Sequence, residues 1–109
     1  MIDTPLRLVL FDFDGTLCDS AATIIRLMKQ ACAACDLPVF EDSFIRGNIG
    51  HGVSHAALAY ADGDPEKASQ LAETYRQIAR NEYLGGQPPL DPLFDGAEDV
   101  LRTLQSRGY

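Results

Sequence analysis

Two aspartates one residue apart close an apolar run. Leu6 to Phe11 reads LRLVLF, and Asp12, Phe13, Asp14, Gly15 and Thr16 follow it directly. A short segment this rich in β-favouring residues reads as a strand buried on both faces, and strands of that kind belong to parallel sheets. A carboxylate ends such a strand badly unless something needs it there. The stretch is therefore either a strand-turn boundary or a reaction centre, and in open α/β sheets ligands bind just beyond the carboxyl ends of the strands, where Asp12 stands.

The rest of the chain reads as helix. Ser20 is placed to cap a helix whose apolar residues Ala21, Ile24, Ile25, Met28, Ala31, Cys32 and Cys35 recur at helical spacing, with Pro38 just beyond its end. EDSFIRGNIGHG predicts a short turn of helix running into a Gly-rich loop, and Val53, Ala56, Ala57 and Tyr60 mark the next helix. Asp64 with Pro65 predicts a strong helix start, its stripe running from Ala68 to Tyr83, where two glycines stop it. After the Pro-rich connector QPPLDPLF, Asp95 and Glu98 resemble a capping box opening a last helix, with Val100, Leu101 and Leu104 facing inward and Gly108 as its stop. One central strand cannot exist alone, so this inventory predicts the front part of a larger α/β protein.

Composition narrows the function. The chain of 109 residues carries a net charge of -7, which argues against binding nucleic acid or an anionic membrane through its own field. The N-terminus MIDTPLR lacks the pattern of a secretory signal and no apolar run is long enough to span a bilayer, so the expected location is the cytoplasm. Cys18, Cys32 and Cys35 are an odd count, expected as free thiols. Cys32 and Cys35 form a CxxC, but late in a helical pattern rather than at a helix N-terminus, which favours packing over redox chemistry.

At the strand end the chemistry is specific. An Asp with a reference pKa of about 3.9 is ionised at neutral pH and can attack phosphorus without an adjacent base. Asp14, two residues on, could donate a proton to the leaving oxygen, since neighbouring carboxylates facing a phosphate tend to raise one pKa. A magnesium ion would offset the repulsion among carboxylate, phosphate and the protein's own charge. Gly15 permits a positive φ and a close approach of the backbone to phosphate, and Thr16 offers a hydroxyl. The turn-only reading is disfavoured because GTLxDS follows, a string far more specific than an isolated Asp-Gly.

FDFDGTLCDS resembles the first motif of the haloacid dehalogenase (HAD) superfamily in its phosphatase form, DxDGTLxDS. LPVFEDSFIRGNIGHGV is similar to the helical cap segment of the phosphoglycolate phosphatase-like group, and LFDGAEDVLRTLQSRGY to the stretch where such chains re-enter the core, with FDGA in place of the usual PGV. The resemblance implies an α/β fold with a HAD-like Rossmannoid parallel-sheet core, incomplete here, and an inserted helical cap: residues 1–16 as core, 17–89 as cap and 90–109 as re-entry. It implies Asp12 as nucleophile and side-chain magnesium ligand, and Asp14 as acid/base and magnesium ligand through its backbone carbonyl. Asp12, Gly15 and Thr16 would hold the phosphate. Arg46 and Gly50 of the RGNIGHG loop are the candidate substrate contacts, with Arg46 meeting a substrate carboxylate.

The family's second, third and fourth motifs would follow Tyr109, so the chain is expected to be inactive alone and prone to self-association. The resemblance implies a magnesium-dependent phosphatase for a small phosphorylated metabolite, with 2-phosphoglycolate the leading substrate. A phosphosugar mutase uses the same Asp pair and stays open as an alternative, as does a non-catalytic, partner-binding fragment. A dehalogenase is disfavoured, because Asp14 has no role there. His51 and His55 share the i, i+4 spacing of a metal chelate, but no third ligand is evident, which favours surface or packing roles.

Overall fold

The computed structural model describes residues 5–109, so the first residues of the expected 1–16 segment lie outside the description. It contains five helices among those residues: α1 (Ala21–Ala34), α2 (Asp42–Gly47), α3 (Val53–Tyr60), α4 (Pro65–Tyr83) and α5 (Ala97–Ser106). The chain divides into two compact units, one made of the chain up to Ser20 together with Asp91–Tyr109, the other of Ala21–Leu90.

The second unit is a helical bundle whose core follows from the apolar stripes. α1 contributes Ile25, Met28, Ala31 and Cys32, α2 contributes Ile45, and α4 contributes Ala68, Leu71 and Ala72. α3 presents Ala56, Ala57 and Tyr60, small residues on α3 and α4 letting the two helices approach closely. Phe40 stacks on Phe44 at a centroid distance of 5.0 Å, and both meet the Tyr60 ring edge-on at 5.0 and 5.2 Å. Burial, then the neighbouring Cys32 and Tyr75, pushes the Tyr60 phenol up to about 12. Burial, then Cys35, pushes the Cys32 thiol up to about 11, so it stays protonated at neutral pH. The three cysteines are free, and the CxxC pair packs in the bundle, with the Cys35 thiol 3.4 Å from the Thr74 hydroxyl.

Helix ends are set by short polar residues and by glycine. α1, α3 and α5 close in the same way: Asp36, Asp62 and Gly108 take φ of 56°, 53° and 86°, and the next residue's N–H reaches back to the carbonyls of Cys32, Leu58 and Leu104. α4 begins as its sequence requires. The Asp64 carboxylate accepts from the N–H groups of Glu66 (3.0 Å) and Lys67 (3.3 Å), and Pro65 occupies the first turn, where its missing N–H costs nothing. Asp64→Ala is expected to lower the unfolding free energy by about 1 kcal/mol, measurable in urea titrations followed by circular dichroism. Asp64→Asn should recover most of the loss.

The first unit departs from expectation. No strand forms among the described residues; only the isolated bridges Asp14–Cys18 and Cys18–Leu93 are present. Leu6 to Phe11, expected as a strand buried on both faces, is exposed, with Leu8 at 70% and Leu10 at 84%. A strand needs lateral hydrogen-bond partners, and no described segment pairs with this one.

α5 is corrected in two respects. Its N-cap is Gly96 in the left-handed region (φ 83°) with no side-chain cap, so the Asp95–Glu98 capping box does not form. The chain turns at Gly96, and Glu98 instead pairs with Arg102 at 2.6 Å. Of its expected inward residues, Val100 is 48% exposed while Leu101 and Leu104 are half-buried.

Candidate active site

The turn from Phe13 to Ser20 is organised around a single carbonyl. The Phe13 oxygen accepts from the N–H groups of Thr16 (3.2 Å), Leu17 (2.9 Å) and Cys18 (3.0 Å), while the Gly15 N–H donates to the Cys18 carbonyl at 2.8 Å. Such a fold-back requires a left-handed residue, and Gly15 supplies it at φ 77°. A Cβ there would meet nothing within 4 Å, so the demand for glycine is conformational rather than steric. The second crossing of the chain pins the turn: the Asp19 N–H donates to the Pro92 carbonyl at 2.7 Å, and the Phe94 N–H to the Leu17 carbonyl at 2.9 Å.

This scaffold presents Asp12 and Asp14, both exposed. One oxygen of Asp12 accepts from the Phe13 N–H at 3.0 Å, leaving the other without a hydrogen-bond partner among the described residues. Asp14 Oδ1 accepts from the Ser20 hydroxyl at 2.6 Å. The Asp14 carbonyl accepts none of the turn's backbone hydrogen bonds among the described residues. Thr16 is exposed on the same turn. Buried Cys18 lies beneath it, and its burial, then the carboxylates of Asp91, Asp14 and Asp19, raise its thiol pKa.

A ligand set of carboxylate and carbonyl oxygens suits a hard cation such as magnesium. Among the described residues, no cluster of three or more His, Cys, Asp or Glu side chains could enclose a metal. Arg46 and Gly50 belong to the other unit, Arg46 exposed on α2 and outside any ion pair among the described residues, Gly50 with φ 98° in the loop before α3. His51 and His55 are exposed, their rings 6.3 Å apart. Ser20, read from the sequence only as a helix cap, is the residue whose contact to Asp14 that reading missed; the signal was its place at the end of the DGTLxDS string.

The family model for haloacid dehalogenase-like hydrolases matches residues 9–109. The chain belongs to that family. It is 45% identical over 92% of its length to an N-acetylmuramic acid 6-phosphate phosphatase of Pseudomonas putida, covering 44% of that protein. It is 34% identical over 94% of its length to a phosphoglycolate phosphatase of Xanthomonas campestris pv. campestris, covering 45% of it. Among solved structures, a predicted phosphatase from Clostridium acetobutylicum is similar with a TM-score of 0.70 and 27% identity, over 90% of this chain and 44% of that one. This HAD chain thus spans about half the length of the curated relatives it matches. The likeness supports the HAD-like fold, while the parallel sheet is not formed among the described residues. No helix among them is long and apolar enough to cross a membrane.

Proposed function

We propose that this chain carries the nucleophile and acid/base of a phosphomonoester hydrolase that works through an aspartyl-phosphate, with the helical unit Ala21–Leu90 as its cap. The observation that carries the reading is the exposed Asp12–Asp14 pair held on a tight, glycine-dependent turn in a member of the HAD family. The Asp12 carboxylate attacks phosphorus and the bond to the leaving oxygen breaks, with Asp14 giving that oxygen its proton. Water then attacks the phosphorus of the acyl phosphate as Asp14 takes a proton from it, and the bond from phosphorus to the Asp12 oxygen breaks, releasing phosphate and the free carboxylate. Magnesium, held by the Asp12 carboxylate and the Asp14 carbonyl, would supply charge neutralisation for the phosphate. Gly15 and Thr16 form the phosphate-facing part of the turn.

The substrate class is a small phosphomonoester that also bears a carboxylate, met in the cytoplasm. Both relatives named above act, by their names, on phosphorylated acids, and this reading includes 2-phosphoglycolate and N-acetylmuramic acid 6-phosphate. Arg46, exposed in a chain of net charge -7, is the cation assigned to that carboxylate. In a full-length protein carrying this segment, Arg46→Ala should lower kcat/KM for the carboxylate-bearing esters by roughly 10-fold or more while p-nitrophenyl phosphate changes little. An unchanged ratio of the two specificity constants would remove Arg46 from the substrate site. Absence of phosphate release from every phosphomonoester tested would overturn the hydrolase reading itself.

A further inference from the structure

We infer that Ser20 is a positioning residue, holding the Asp14 carboxylate in one orientation; its consequence for turnover rests on the acid/base reading of Asp14 above. The bond is short, 2.6 Å from the Ser20 hydroxyl to Asp14 Oδ1, and a hydrogen bond of that length ties its acceptor oxygen to one direction. The two partners are unequal in freedom. Asp14 is exposed, where a carboxylate otherwise exchanges among rotamers and water partners, whereas Ser20 is 2% exposed and cannot swing away.

The backbone around the donor is fixed from both sides. Asp19 is tied to the Pro92 carbonyl at 2.7 Å, and α1 starts at Ala21. The acceptor side is fixed by the Phe13-centred turn. Ser20 is therefore a donor on a rigid support aimed at a mobile acid, the arrangement that gives a proton-transfer group a defined direction. A helix-capping role for Ser20 would use an oxygen lone pair, and its donated proton is a separate resource.

The decisive measurement is the set of three-bond couplings from backbone nitrogen and carbonyl carbon to the Asp14 Cγ, taken by NMR on the isotope-labelled 109-residue chain. Wild type and Ser20→Thr should both give the values of one staggered rotamer, and Ser20→Ala averaged values, with the amide signals of α1 unchanged. Averaged couplings in wild type, or an equally fixed rotamer in Ser20→Ala, would overturn the inference. Should Ser20→Ala fail to fold, the wild-type couplings still decide.

In a full-length protein, Ser20→Ala should lower kcat for an alkyl phosphate by about 10-fold to 100-fold, because its leaving oxygen needs the proton. For p-nitrophenyl phosphate, a good leaving group, only the first-turnover burst of p-nitrophenol should stay within about 2-fold, whereas first-turnover release of the alcohol from the alkyl phosphate should fall as its kcat does. An equal fall in the first-turnover rate for both substrates would break the link to proton delivery. A wild-type enzyme without phosphatase activity would instead overturn the hydrolase reading, a result separate from the rotamer measurement.

Discussion

Replacing Asp12 by Asn in a full-length protein carrying this segment is expected to cut steady-state phosphate release by roughly 10,000-fold to 1,000,000-fold, the scale seen when a nucleophile is removed from a covalent mechanism. The substitution is close to isosteric, and the amide oxygen can still accept from the Phe13 N–H that now reaches Asp12 at 3.0 Å. The side chain is exposed and its other oxygen has no partner among the described residues, so the turn should survive and the loss should read as chemistry. An amide neither attacks phosphorus usefully nor offers a cation a negative charge. Asp14→Asn should differ in kind. With p-nitrophenyl phosphate the first displacement still runs, the protein gains a phosphoryl group visible by intact mass, and turnover falls by about 100-fold to 10,000-fold as hydrolysis of the acyl phosphate stalls. Wild-type activity in Asp12→Asn would remove it as nucleophile, and a phosphorylated species in that variant would place the attack elsewhere.

The second large effect concerns stability. Leu71 is fully buried in the middle of α4, within a cluster that includes residues of α1, α2 and α3, and Leu71→Ala should cost about 2–5 kcal/mol through lost transfer energy and the cavity left behind. Against a typical domain stability of roughly 5–15 kcal/mol, that is a large fraction, and the urea midpoint of the helical signal should fall accordingly. Leu10→Ala removes the same atoms from a residue 84% exposed and should change the same midpoint by no more than about 0.5 kcal/mol. Equal losses at the two sites would contradict the exposure of the Leu6–Phe13 segment.

The contrast between those leucines also marks what was legible in the sequence. Helices whose partners lie close along the chain were readable, because periodicity and caps are local: Asp64 with Pro65 predicted the start of α4 directly. The LRLVLF run was equally clear as strand-forming, yet strand formation depends on distant partners, which local composition cannot provide. At α5 the spacing of Asp95 and Glu98 fitted a capping box, but the left-handed turn at Gly96 lies between them and shifts the helix start. Asp36 and Asp62 in left-handed positions went unread because glycine is the usual signal there. The motif placed Asp12, Asp14 and Gly15 on one turn, whereas the Ser20–Asp14 bond depends on how the chain between them folds back, for which the sequence offered only Ser20's place at the end of DGTLxDS.

The pairing of the two chain crossings has a consequence for how such proteins change over time. Leu17–Asp19, where the chain departs toward α1, and Pro92–Phe94, where it returns, lie side by side and share two backbone hydrogen bonds. A segment whose two ends emerge together behaves like an exchangeable cartridge: replacing it leaves the junction geometry intact, because the bonds that close the junction are made by backbone outside the segment. Under the proposed reading, genetic recombination at those positions would graft a different set of substrate contacts onto the same Asp-bearing turn while the proposed reacting groups keep their arrangement.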